Sequence, residues 1–330
     1  MSSAAAFIPV ALAAIILSIA AIAQTPSSET HTFFARLTPL QVQVQKFRAP
    51  YVWISLWDSS FIWHYLILCA ILAGALVRLR HAISGDLKPF VLGLPLLGIL
   101  SLPFSWFLLE GRQLAILPQI QPLRGLLFVV LMAQILTAAA ALQAVKAGRL
   151  YEAIGWFAAA YLAPLHPVIP APTSGKAAMV LVALAAVTTL AARVDTRLAS
   201  AAALAAFFAI PGWGGVVNYP RLHTPDLTQL CDWARQSTLP DAVFAFPNAG
   251  KALYPGIFRS EASRAVYVDW KGGGQVNYLA DFAEQWWFRW QQPVASYSGL
   301  GIQYMVVQTR DRLPQAPAFQ NATYAVYAVR

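Results

Sequence analysis

Asp58 and Glu29 are the acids best placed for chemistry. Asp58 stands in Trp57-Asp58-Ser59-Ser60, directly ahead of a long apolar run and near His64. A carboxylate there can take a proton from an acceptor hydroxyl or hold a metal ion, with His64 as a substrate contact, and it can equally cap a helix. Glu29 lies in Pro26-Ser27-Ser28-Glu29-Thr30-His31, where it can share a divalent metal with His31 or belong to a polar linker. The second group is Glu110-Gly111-Arg112 together with Arg124. A guanidinium matches a phosphate bidentately, so these arginines suit a lipid-linked phosphate. The bland alternatives are a topological anchor and an Arg112–Glu110 pair. The third group is Trp286-Trp287-Phe288-Arg289-Trp290, which follows Gly272-Gly273-Gly274. Aromatic faces such as those of Trp286 and Trp290 stack on sugar rings, although two tryptophans on one helix face also suit burial or a belt at the headgroup level. Asp269-Trp270-Lys271 ends a strand, and a structural ion pair is its default. Gln119, Gln121 and Gln134 can bond neighbouring helices.

The elements that must position these groups are mostly apolar. The 330 residues are 58% hydrophobic and 11% charged, where a soluble domain carries about a quarter charged residues. So few charges cannot coat a water-facing surface, which excludes a cytosolic enzyme, a disordered tail and a disulfide-rich module. The two cysteines, Cys69 and Cys231, cannot build a cysteine metal cluster. The net charge of +9 is spread along the chain and suits topology signals and anionic lipid headgroups, not nucleic acid. A span needs roughly 20 apolar residues. Seven candidates meet or approach this: 4–23, 61–77, 89–109, 123–145, 151–166, 176–192 and 198–210. The first can also be a signal peptide ending at Ala21-Ile22-Ala23.

Arg78, Arg80, Lys88, Lys146, Arg149, Arg193 and Arg197 lie in short loops on one side of these spans. Arg36, Lys46, Arg48, Arg112 and Arg124 lie on the other, with Lys176 at a boundary, and three of these six are in the long segment 24–60. The denser set belongs in the cytoplasm. That predicts an internal N-terminus and an external C-terminus. After Pro211-Gly212-Trp213-Gly214-Gly215 the composition changes, giving a transmembrane domain over 1–215 and an extracytoplasmic domain over 216–330. In the latter, Thr224-Pro225-Asp226 opens a helix with a cap and a first-turn proline. Strands are predicted at 242–246, 265–270, 303–308 and 324–329, with a second helix at 279–292. Strands alternating with helices give a small α/β domain. The triglycine lacks GxGxxG spacing and a GK[ST] ending, and HExxH, CxxC and GxSxG are missing from the sequence.

Spans followed by "WARQSTLPDAVFAFP", "GLGIQYMVVQ" and "NATYAVYAVR", with "QIQPLR" ahead of a span, resemble the C-terminal half of bacterial GT-C-type membrane glycosyltransferases. The likeness covers about residues 110–330. It implies transfer of a sugar from a polyprenyl-phosphate carrier at the outer, periplasmic face of the cell envelope. It also implies a carboxylate in the first outer loop acting as base or binding a divalent metal. The acids of that loop, Glu29 and Asp58, stand far apart, whereas the family often has a close acidic pair. With fewer spans than the family, the chain reads as a shortened or degenerate member. Its alternative role is a non-catalytic accessory or scaffold subunit whose residues 216–330 dock on a protein partner.

Overall fold

The structure, a computed structural model, describes residues 35–163, 175–213 and 222–329, with Leu12, Ile15, Ile16 and Ile19 besides. The predicted span 4–23 and Glu29 thus lie almost wholly or wholly outside the described residues. Among the described residues, seven helices of ten residues or more precede residue 214: α1 (Pro39–Arg48), α2 (Ser59–Leu79), α3 (Lys88–Ser105), α4 (Leu127–Lys146), α5 (Leu150–Leu162), α6 (Gly175–Val194) and α7 (Thr196–Trp213).

Among the described residues, three helical stretches are long and apolar enough to cross a membrane: Ser59–Leu79, Gly85–Gly111 and Leu117–Lys146. They begin earlier or run longer than the sequence predicts. A π-turn, Trp106–Gly111, extends α3, while a helical turn and a 3-10 turn, Pro122–Leu126, lead into α4. Of α6, Met179–Val194 is a shorter apolar helix, and α5 has 13 residues. Apolar side chains such as Trp63, Leu66, Phe90, Leu97, Leu127 and Leu131 face outward, as lipid-facing residues do.

Inside the bundle, Leu68, Leu72 and Ala75 of α2 meet Val129, Met132, Ala133 and Leu136 of α4. The fully buried Ala140, Ala141 and Ala144 let α4 approach its neighbours closely. Gly98 of α3 has the same role: a Cβ there would stand 2.6 Å from the Gly125 carbonyl oxygen. At one end of the bundle Arg78 donates to Glu152 (2.6 Å) and to Gln143 (2.5 Å), which ties α2, α4 and α5 together. Arg149 also reaches Glu152, at 3.1 Å. At the other end Ser55 and Glu110 join, and a β-bridge links Arg36 to Leu114.

The C-terminal region holds α8 (Pro225–Ser237), β1 (Val243–Ala245), α9 (Tyr254–Ala262), β2 (Ala265–Val266), α10 (Ala280–Trp290), β3 (Tyr304–Gln308), β4 (Phe319–Gln320) and β5 (Tyr324–Ala328). Thr224 accepts from the Leu227 N–H at 3.2 Å and Pro225 opens α8, as the sequence predicts. The strand order is β2-β1-β3-β5-β4, parallel through β2, β1 and β3 and antiparallel from β3 to β5 and β4. α8 and α9 cover one face, burying Leu227, Leu230, Phe244 and Phe258. Tyr297, Ile302, Met305 and Tyr327 fill the other. The sheet is mixed and its edges are short. The predicted strand 265–270 shrinks to two residues because Asp269 turns the chain, accepting from the Gly272 N–H at 2.5 Å and from Arg259 at 2.7 Å.

α1, in a segment read as a loop, carries a complete helix start. The Thr38 hydroxyl accepts from the Gln41 N–H at 3.2 Å, the Gln41 side chain accepts from the Thr38 N–H at 3.0 Å, and Pro39 is the first helical residue. One face of α1 packs on the C-terminal region, with Val44 and Phe47 set against Val276, Ala283, Trp286 and Trp290. The sheet region is therefore held at the end of the bundle that carries α1 and residues 112–126, away from the Arg78–Glu152 end.

Candidate functional site

Asp58 is the N-cap of α2. Its Oδ1 accepts from the backbone N–H of Ser60 at 2.7 Å and of Phe61 at 3.2 Å, and from the Ser60 hydroxyl. The carboxylate is exposed at the mouth of the span. His64, one turn and a half further on, is buried, with its ring edge-on to Tyr65 at 5.2 Å.

Glu110 turns toward the Asp58 segment, where its Oε1 accepts from the Ser55 N–H at 2.9 Å. Among the described residues it forms no ion pair with Arg112, whose guanidinium lies 5.4 Å from the Phe107 ring centre. Arg124 is exposed in the Pro122–Leu126 turn. Asp58, Glu110, Arg112 and Arg124 thus belong to one end of the bundle. Among the described residues, three or more histidine, cysteine or acidic side chains do not come together as a metal would need. The described residues around Asp58 thus offer too few donors to hold a divalent metal, while Glu29 and His31 lie outside the described residues.

Trp286 and Trp290 lie elsewhere, in the contact between α1 and α10. Their rings stack at 5.0 Å, and Phe47 and Trp270 close the cluster at 5.7–6.5 Å around them. Trp286 is 4% exposed and donates through Nε1 to the Asp269 carbonyl at 3.1 Å. Gly273 must lack a side chain here, since a Cβ would stand 2.6 Å from the Trp286 ring. The Trp286 face that the sequence offers to a sugar ring is thus covered by protein, while Trp290 is half-buried. On the outer side of α10 a shallow groove is lined by Tyr267, Glu284, Gln285, Phe288 and Arg289, with the arginine 5.5 Å from the Tyr267 ring centre.

The structure adds a basic group that sequence reasoning did not single out. Arg48, at the end of α1, lies with its guanidinium 4.3 Å from the Trp270 ring centre and its Nε donating to the Trp270 carbonyl at 3.0 Å. Lys251 approaches the same ring at 5.0 Å. Burial pushes the Arg48 guanidinium below the usual arginine value, against the opposing pull of Tyr51 and Asp269. Asp269 is engaged by Arg259, so the ion pair of the Asp269-Trp270-Lys271 segment runs to Arg259 and not to Lys271. The Thr38-Pro39…Gln41 capping box was the readable signal for α1. Its contact with Trp270 was not, because more than two hundred residues separate them.

Residues 225–292 match the model of a domain of unknown function, DUF6798, which spans α8 through α10. No curated protein and no solved structure matches the chain.

Proposed function

We propose that the chain is a multi-pass protein of the bacterial inner membrane with seven spans, its N-terminus inside and its α/β region outside. In this reading it is a GT-C-like protein that transfers a glycosyl group from a polyprenyl-phosphate carrier at the outer face. The observation that carries the reading is the Ser55–Glu110 hydrogen bond, which draws the Asp58 segment and Glu110-Gly111-Arg112 to one rim of the bundle. That rim also holds Arg124 and lies on the same side as the α/β region. The opposite ends of the helices carry Arg78, Arg80, Lys88, Lys146, Arg149, Arg193 and Arg197, the arrangement that the positive-inside rule associates with the cytoplasm.

In such a transfer Asp58 takes the proton of the acceptor hydroxyl and the hydroxyl oxygen bonds to the anomeric carbon. The bond from that carbon to the carrier phosphate breaks, and the phosphate leaves with the electron pair, held by Arg112 and Arg124. The test is alanine substitution at Asp58 and Arg124 with a lipid-linked sugar donor. Loss of transfer by about a hundredfold or more supports the assignment. Unchanged transfer by both variants removes it.

A second reading, an accessory or scaffold subunit whose outer region docks on a protein partner, is favoured by one specific feature. The Asp58 carboxylate caps α2. A stoichiometric protein partner without bound prenyl lipid after detergent extraction would select this reading over transfer.

A further inference from the structure

α10 carries aromatic rings on two faces, and internal packing uses one of them. Ala283, Trp286, Trp287 and Trp290 belong to the contact with α1. Glu284, Gln285, Phe288 and Arg289 fall on the other side at helical spacings of three and four. Together with Tyr267, which follows β2, they line an open groove of about 510 Å³. That is within the size range of small-molecule sites. A lone exposed apolar side chain needs no explanation. Phe288, 59% exposed, is a different case because it shares a concave surface with a second ring and with polar groups of both signs.

Those polar groups are few and unspent. Among the described residues, the Glu284 and Gln285 side chains and the Tyr267 hydroxyl make no hydrogen bond, and Glu284 and Arg289 make no ion pair, with each other or elsewhere. The Arg289 guanidinium rests 5.5 Å from the Tyr267 ring centre and lines the groove beside it.

This mixture selects a ligand. An anion would face the Glu284 carboxylate, and a cation the Arg289 guanidinium. A wholly apolar ligand would strip water from both charges and replace none of it. A neutral ring with an apolar face and hydroxyls around its edge matches every group. Its C–H groups lie on the aromatic face, its hydroxyls donate to the oxygens of Glu284 and Gln285, and a hydroxyl oxygen accepts from Arg289. We propose that the groove binds a neutral pyranose sugar, stacked on Phe288 and held at its edge by Glu284, Gln285 and Arg289. The sugar can be free in solution or a unit of a cell-envelope polysaccharide. The inference is independent of glycosyl transfer at Asp58, since it asks only for binding.

The test uses the full chain in phosphatidylcholine nanodiscs, which bring no sugar headgroup, with empty nanodiscs as the blank. Saturation-transfer NMR is recorded with methyl β-glucopyranoside, with tetra-N-acetylchitotetraose, and with free leucine as a zwitterionic comparator. Saturable transfer to the ring C–H protons of either sugar, without a response from leucine, is expected. Phe288→Ala should weaken that binding about tenfold and Phe288→Trp should keep it, both at the wild-type unfolding temperature because the position is exposed. Glu284→Ala should weaken it by a similar factor. Tetramer binding about tenfold or more tighter than the glucoside would support the proposal with a polymer source, and equal affinities would support it with a soluble one. Lack of saturable transfer to both sugars would overturn it. So would wild-type binding in Phe288→Ala, or a leucine response as strong as that of the sugars.

Discussion

Cys231 shows how far a local environment can remove a side chain from chemistry. It is buried on the inner face of α8, and desolvation, with Glu261 adding a smaller push, raises its thiol to about 12. Tyr254 is raised to about 12 in the same way, with Tyr324 and Asp311 adding to the burial effect. In both cases the folded state holds the proton more tightly than the unfolded chain. Their contribution to stability is therefore complete below the unfolded values, near 9 for the thiol and 10 for the phenol, and is lost as the pH rises toward 12. Unfolding of the detergent-purified protein should show a falling midpoint between about pH 9 and 12. A flat profile across that window would contradict the burial of both groups. A maleimide should label Cys231 at pH 8 only after denaturation, which mass spectrometry of the labelled peptide can read. Asp58 is the opposite case, because its type and position were legible from the sequence while its partners were not. Asp-Ser-Ser ahead of an apolar run reads equally as a cap and as a base. The distances to Ser60 and Phe61 are what show the cap.

At the scale of elements, the bundle depends on close approach. Gly98 of α3 faces Gly125, and added bulk would meet a backbone carbonyl that cannot rotate away. Gly98→Ala should therefore destabilise the purified protein by about 1–3 kcal/mol, seen as a lower unfolding temperature, whereas Gly93→Ala, with open space around it, should not. α2, α4, α8 and α10 were readable from length, hydropathy and caps. α9 was not, since Tyr254-Pro255-Gly256 looks like a turn until Ile257 and Phe258 find the sheet core. β4 was not, because its two residues are strands only by pairing with Val326 and Ala325. α1 was missed although its capping box was present, because a short amphipathic helix in an otherwise polar loop has no hydropathy signal to draw the eye.

For the whole molecule the decisive arrangement is that the α/β region sits on α1, at the end of the bundle opposite the Arg78–Glu152–Arg149 cluster. α1 and the C-terminal region must then share one side of the membrane. A periplasm-active phosphatase fused after Ala328 should be active in cells and the same reporter placed within residues 80–87 inactive, with a fluorescent cytoplasmic reporter giving the reverse pattern. Activity at both positions would break the orientation proposed above.

Composition and run length were enough to read membrane-length apolar helices, because burial of backbone polar groups in lipid permits little else, and to mark a change of composition ahead of the C-terminal sheet region. Turn chemistry alone placed Thr224 and Pro225 at a helix start. Only the tertiary structure decided that α1 fastens the two parts together, that Trp286 is packed away against Phe47 and Trp290, and that Arg48 lies against Trp270. Those contacts join residues far apart in the chain. They arise from the shapes of packed surfaces, which no local pattern of residues encodes.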